Sequence, residues 1–450
     1  MRTLARAEAA SAPEAWLRAL PPACRPVLLH GSAGGPSLLA WNPDRVREET
    51  LAPAPQPGQR WPLAARDPAR VLEADWAQES WEGAEGGLGP AWIGWFGWAC
   101  AHAAERWPWL PPARPQFPDW SFARYLTAVR FQGDGGAELL HAGSASDEAA
   151  ARDAFTQICA AAHAVGPASA EAPDLAPRED GSRFRASVAR LREWIGNGEL
   201  YQANLSHPLE AAWSGDPRAL YAAVARRQPT RSSAYWEDGS GRALLSHSPE
   251  LFLGVRGERL ETRPIKGTSP RHADPAQDAA SACALESSEK ERAELAMIVD
   301  VARNDLGRVA VPASVEVISA GEVEAYPTLF HRTASVRARW EPRLGFARLW
   351  TAVFPPASVS GAPKVRALQS IAELEGEDRG PYCGALGWWR PTARPEGEFS
   401  VMIRTAVADG TRLTLRVGAG IVWDSQPERE WTETLLKGRY LSTSQDVRAS

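Results

Sequence analysis

The sequence predicts an α+β protein built on mostly antiparallel sheets. Helical and strand-like periods are mixed along the chain without the regular strand–helix alternation of a parallel sheet. Apolar residues alternate on both sides of Asp409-Gly410, through Phe399 to Val407 and Thr411 to Val417, a pattern that predicts a hairpin. Near the start, Val27-Leu28-Leu29 and Ser37-Leu38-Leu39-Ala40-Trp41 read as two short strands joined by a turn from Gly31 to Pro36, the opening of an antiparallel sheet.

The remaining elements follow in order. Residues 147–165 are alanine-rich with helical spacing and run into Gly166-Pro167-Ala168-Ser169-Ala170-Glu171-Ala172-Pro173, which has no periodicity. The main boundary is placed there, giving an N-terminal subdomain 1–165, a linker 166–182, a main domain 183–443 and a tail 444–450. Phe184 to Ile195 repeats apolar residues at helical spacing and stops at Gly196-Asn197-Gly198. Strand-like segments cover Ala243 to Ser246, Leu251 to Val255 and Leu260 to Ile265, with Lys266 at the end of the last. Ser288 and Glu291 form a capping-box pattern ahead of a helix carrying Leu295, Ile298, Val301, Ala302 and Leu306 and ending near Gly307. Ser425-Gln426-Pro427 opens a second such helix through Lys437, with proline in its first turn. No internal repeat is evident.

Composition narrows the function. A chain of 450 residues that is 44% hydrophobic and 23% charged can bury a large core. A net charge of -5 and a pI near 6.0 argue against a nucleic-acid partner, which selects a basic face. The five cysteines are scattered and form no Cys-x-x-Cys pair, so neither a disulfide framework nor a zinc site is indicated. The first residues lack the apolar run of a signal peptide, and Ala91 to Ala104 is too short and glycine-broken to span a bilayer. The expectation is a soluble, cytoplasmic protein that acts on a small molecule. The tryptophans at 92, 95, 98, 107 and 109 alternate with small residues, as core aromatics of buried strands do.

Several constellations could carry chemistry. Glu291 and Glu294 share one helix face, and Glu430 and Glu433 repeat the same offset with Lys437 one turn on. Each pair is either an ordinary solvated face or half of a site for a hard divalent cation such as Mg²⁺. Ser360-Gly361-Ala362-Pro363-Lys364 ahead of a helix is either a plain helix start or a place where free backbone N–H groups receive a carboxylate or phosphate. Gly418-Ala419-Gly420, after a strand, is either a bulge or a close approach to a ligand. Lys266, in Pro264-Ile265-Lys266-Gly267-Thr268, either solvates a strand edge or is desolvated and nucleophilic. Glu250, in Ser248-Pro249-Glu250, is either a turn residue or a general acid.

Taken in order, these segments resemble the chorismate-converting enzymes, the family of anthranilate, isochorismate, salicylate and aminodeoxychorismate synthases. The resemblance runs from about residue 183 to 441, through Gly198 to Ser206, Ser248-Pro249-Glu250, the Lys266 run, Lys290 to Glu294, Arg303 to Val309, Phe330-His331, Ser360 to Ala367, Ile403-Arg404-Thr405, Gly418 to Val422 and Asp424 to Lys437. Ten motifs in one order are far more specific than any alone. Leu28-Leu29-His30-Gly31-Ser32 and Trp92 to Gly97 match more weakly and extend the likeness over the whole chain.

The resemblance implies the anthranilate synthase component I fold, two large antiparallel sheets packed together with helices outside. It implies that Glu294 and Glu433 ligate Mg²⁺, with Glu291 and Glu430 as further or water-mediated ligands. Gly267, Thr268, His331, Tyr382, Ile403, Arg404, Gly418, Ala419, Gly420 and Lys437 fall where the family holds the carboxylates of chorismate. Glu250 falls on the acid that assists hydroxyl departure. Two positions separate subfamilies: members that add water carry lysine where Gln202 stands, and anthranilate synthases typically carry alanine where Lys266 stands. The resemblance therefore implies the aminodeoxychorismate branch, with Lys266 as a covalent nucleophile and ammonia supplied by a separate glutamine amidotransferase subunit. The expected setting is para-aminobenzoate and folate biosynthesis. Arg332, Pro355-Pro356-Ala357-Ser358 and Trp388 depart from the family's usual residues. His30-Gly31-Ser32 departs from the Glu-Ser pair tied to tryptophan feedback, which argues against such feedback and leaves open a structurally held tryptophan.

Overall fold

The structure is a computed structural model that describes all residues except 10, 32–34, 52–66, 80, 82–86, 102–116, 172, 327–328 and 442–450. The expected tail, Ser32, Trp107 and Trp109 therefore lie outside the described residues. Two antiparallel sheets of twelve and ten strands face each other, with helices on their outer faces. This is the α+β architecture with two large sheets that the sequence predicted.

Period-two alternation builds the layers. Val27 and Leu29 point into the gap between the sheets, where Ile93, Trp95 and Trp388 of the second sheet meet them. Leu28, one residue over, packs outward against Trp16, Leu220 and Phe155 of the flanking helices. In the second sheet Trp92 and Phe96 likewise turn outward, onto Phe346 and Trp350 of the helix Phe346–Val353. Gly94 sits between these faces because a Cβ there would lie 2.0 Å from the Ser121 carbonyl.

Both sheets draw on both sides of the stretch 166–182. In the twelve-stranded sheet Val27–Leu29 pairs with Ser232–Glu237, and in the ten-stranded sheet Ala91–Phe96 pairs with Ala385–Arg390. The helices Glu148–Ala164 and Ser182–Gly196 match their sequence signals.

Two segments differ from the sequence expectation, and both bear on the site. The run 260–265 divides at Pro264 into strands Arg259–Arg263 and Ile265–Pro270, so Lys266 is the second residue of a new strand. The expected hairpin arm 399–407 also divides: Glu396–Val401 belongs to the ten-stranded sheet and Thr405–Ala408 to the twelve-stranded one. Both strands are largely buried, and periodicity alone cannot show that a chain has changed sheets. The crossing residue Arg404 has φ +48.

Candidate active site

Near where the chain passes from one sheet to the other through Met402 to Arg404, several of the predicted residues lie close to one another. Lys266 lies in a β-bulge: its strand pairs with Leu329–Arg339, the register slips between Ile265 and Thr268, and Gly267 takes φ +87. A bulge re-aims a side chain, and here Lys266 turns toward Gly420, whose built Cβ would stand 3.1 Å from Lys266 Nζ and 2.7 Å from Gln202 Nε2. Glycine at 420 is what lets the amine and the amide share that space. Burial lowers the lysine pKa, with Lys437 adding to the effect, against the pull of Glu294, Glu250 and Glu433.

Glu250 is 4% exposed and burial pushes its carboxyl up to about 7. Ser358 Oγ donates to Glu250 Oε1 at 2.5 Å, which holds the rise back. Ser358 carried no signal of its own in the sequence beyond the altered run 355–358. Only the fold brings it across from residue 250.

A second group is built to meet anions. Thr268 Oγ1 and His331 Nδ1 are 3.0 Å apart; burial, then Arg404, drives the His331 pKa down to about 3, so the ring is neutral. Arg404 is partly buried, its pKa lowered by desolvation, and among the described residues no carboxylate pairs with it. An unpaired guanidinium of this kind is a carboxylate receptor. Ile403 precedes it at the crossing, half-buried. Tyr382 is buried with its hydroxyl 2.7 Å from where a Cβ of Gly418 would be. Gly418-Ala419-Gly420 pairs with Asn204, Leu205 and Ser206 of the strand Gln202–Ala212. That strand is fixed from behind by buried Glu375, which accepts from Ser206 Oγ at 3.0 Å and pairs with Arg379 at 2.6 Å.

The four carboxylates arrive on two helices. Glu289–Gly307, capped by Ser288, brings Glu291 and Glu294; Pro427–Gly438 brings Glu430 and Glu433. Burial raises the pKa of Glu294, with Glu291 and Glu433 adding repulsion, and burial likewise raises Glu430, with Glu433 adding to it. Burial also acts on Glu433, but Lys437, Lys290 and Lys266 outweigh it and hold it below its usual value. Lys437 Nζ bridges Glu433 Oε1 at 2.6 Å and the Gly418 carbonyl at 2.9 Å, and Lys290 lies 3.8 Å from Glu294. As they stand, no three His, Cys, Asp or Glu side chains among the described residues are grouped closely enough to hold a metal ion. The residue types are those that hold a hard cation: carboxylates on two helices that repel one another and are balanced by Lys266, Lys290 and Lys437.

Ahead of the helix Lys364–Glu375, Gly361-Ala362 pairs with Gln202 and Ala203, Tyr201 N donates to the Ala362 carbonyl, and Lys364 points inward to Asp305 at 2.6 Å.

The profile of the chorismate binding enzyme family matches residues 37–443. The chain belongs to that family. It is 41% identical over 271 residues to anthranilate synthase component 1 of Aeropyrum pernix, covering 60% of each chain. It is 39% identical over 259 residues to aminodeoxychorismate synthase component 1 of Escherichia coli, covering 57% of this chain and 55% of that one. The chain thus spans at most about 60% of the length of the curated relatives it matches. Among solved structures, anthranilate synthase component I of Streptococcus pneumoniae superposes with TM-score 0.78 at 29% identity, over 91% of this chain and 92% of that one. The menaquinone-specific isochorismate synthase of Escherichia coli gives TM-score 0.73 at 19% identity over 96% and 91%, a likeness of fold. Among the described residues no helix is long and apolar enough to cross a membrane.

Proposed function

We propose that this protein is the chorismate-aminating component of an aminodeoxychorismate synthase, joining chorismate and ammonia to give 4-amino-4-deoxychorismate for para-aminobenzoate synthesis. The observation that carries the reading is the desolvated amine of Lys266, aimed by its bulge into a pocket that also holds a protonatable Glu250 and the unpaired Arg404.

Arg404, with Thr268, His331, Tyr382 and the Gly418 to Gly420 backbone, receives the two carboxylates of the substrate. The neutral amine of Lys266 forms a bond to C2 while the ring double bonds shift and the C4–O bond breaks, with Glu250 giving its proton to the departing hydroxyl, which leaves as water. Ammonia then bonds to C4, the double bonds shift back and the C2–N bond to Lys266 breaks. Chorismate plus ammonia thus becomes aminated product plus water. Burial supports both protonation states, since it favours a neutral lysine and a neutral carboxyl. Glu294 and Glu433, with Glu291 and Glu430 beside them, would hold Mg²⁺, whose charge steadies the ring carboxylate and offsets the repulsion among them. Gln202 carries no charge with which to activate a water, which favours an amine nucleophile. The ammonia is assigned to a separate glutamine amidotransferase subunit, as the component 1 relatives suggest by their names.

The test is to incubate the purified chain with chorismate, MgCl₂ and ammonium and to identify the product. Aminodeoxychorismate as the main species supports the proposal. Anthranilate or isochorismate in its place refutes it.

A further inference from the structure

Glu250 is held by a side chain from a loop more than a hundred residues away, Ser358. Its carboxyl and the Ser358 hydroxyl are both nearly sealed, at 4% and 6% exposure, and meet at 2.5 Å. Ser248, though closer in sequence, touches only the Glu250 backbone, accepting from its N at 3.2 Å. Ser358 and the Ile265 backbone N–H together fix how the carboxyl is turned, and Ser358 is the side chain that holds Oε1.

The loop that presents Ser358 is held by a clamp. Lys364 Nζ donates to Asp305 Oδ2 at 2.6 Å, to the Val353 carbonyl at 3.1 Å and to the Pro355 carbonyl at 2.9 Å. Those are all three donors of an ammonium, and the pair is buried, with side-chain exposures of 8% and 7%. Ser360 Oγ adds a bond to the Pro356 carbonyl at 2.9 Å. Asp305 lies on the same helix as Glu291 and Glu294, so the clamp ties the Ser358 loop to the element that carries the acidic residues. A buried lysine with every donor matched cannot leave for a ligand without stranding Asp305.

We propose that Ser358 is a positioning residue for Glu250, held in place by the Lys364–Asp305 clamp, and that it directs the acid's proton to the departing hydroxyl. This rests on the reading of Glu250 as the general acid. The charged group that acts on Glu250 is Lys266 from the neighbouring strand, and Asp305, paired with Lys364, lines the same small cavity as Glu250 and Ser358. Each of these is left in place when only the serine hydroxyl is removed.

The experiment compares wild type, Ser358→Ala, Ser358→Cys, Ser358→Thr and Glu250→Gln in saturating ammonium and MgCl₂, following chorismate consumption across pH, a readout indifferent to which product forms. Ser358→Ala is expected to lower kcat by about ten- to a hundredfold with KM nearly unchanged, as misaligning a catalytic group does. Its basic limb should move up by roughly one pH unit, because a lost hydrogen bond to the ionised carboxylate raises the pKa. Ser358→Cys should do the same, and gives the answer should the alanine variant not fold. Ser358→Thr, which keeps the hydroxyl, should restore both the rate and the limb. If Glu250→Gln is inactive while the alanine or cysteine variant keeps the wild-type rate and pH profile, the proposal for Ser358 is overturned and the general acid stands. An active Glu250→Gln overturns both.

Discussion

Glu250 shows how one buried residue can tie function to a stability cost. Its carboxyl ordinarily ionises near 4.5 and in the fold near about 7. Below pH 4.5 the folded and unfolded chains both hold the proton and the shift costs nothing. As pH rises from there the unfolded chain releases its proton first, so stability falls until about pH 7 and then levels, a penalty on the order of 3 kcal/mol. Glu250→Gln removes that penalty, so its melting temperature should exceed wild type at pH 8 and match it near pH 4. The same variant should lose about 10²- to 10⁴-fold in kcat, the usual contribution of a general acid, and wild-type activity should fall as pH rises through about 7. A variant that is slow but no more stable at pH 8 would mean that Glu250 is already ionised in the folded chain.

At the scale of elements, the two acidic helices were legible because a capping box, an early proline and an offset of three residues can all be read from sequence, and both formed where expected. What stayed hidden was non-local. Nothing in residues 260–265 shows that Lys266 sits in a bulge, since a register slip exists only relative to the partner strand Leu329–Arg339. Lys364 looked like a cation at a helix start and is a buried clamp, because its partner Asp305 lies 59 positions away. Arg404 was marked by resemblance, but its left-handed backbone at the crossing between sheets was not. If the two helices jointly hold Mg²⁺, the ion should raise the melting temperature of wild type at constant ionic strength, by about 2.7 kcal/mol of stability at a hundredfold excess over Kd. Glu294→Ala with Glu433→Ala should abolish that response. A response that survives the double change would place the ion elsewhere.

Across the whole molecule, each of the two sheets is completed by strands from both sides of the stretch 166–182. In each sheet a block of strands from before residue 166 joins a block from after residue 182 along one strand pair, and Trp95 with Phe117 and Trp236 packs the gap between the sheets. Heat unfolding should therefore give one cooperative transition for the described body, with calorimetric and van't Hoff enthalpies in agreement, and Trp95→Ala should cost about 3–5 kcal/mol. Two resolved transitions would mean that the halves are stable separately. The fold puts Lys266 on the strand Ile265–Pro270, Glu250 between two strands and Arg404 at the crossing between the sheets, and burial lowers the pKa of the Lys266 amine, the nucleophile in the reaction proposed above. That amine is the centre of the account. The direct measurement is intact-protein mass spectrometry after mixing the chain with chorismate and MgCl₂ without ammonium: a chorismate-derived adduct that maps to Lys266 and vanishes in Lys266→Ala is predicted, and an adduct that persists in that variant on another residue would contradict it.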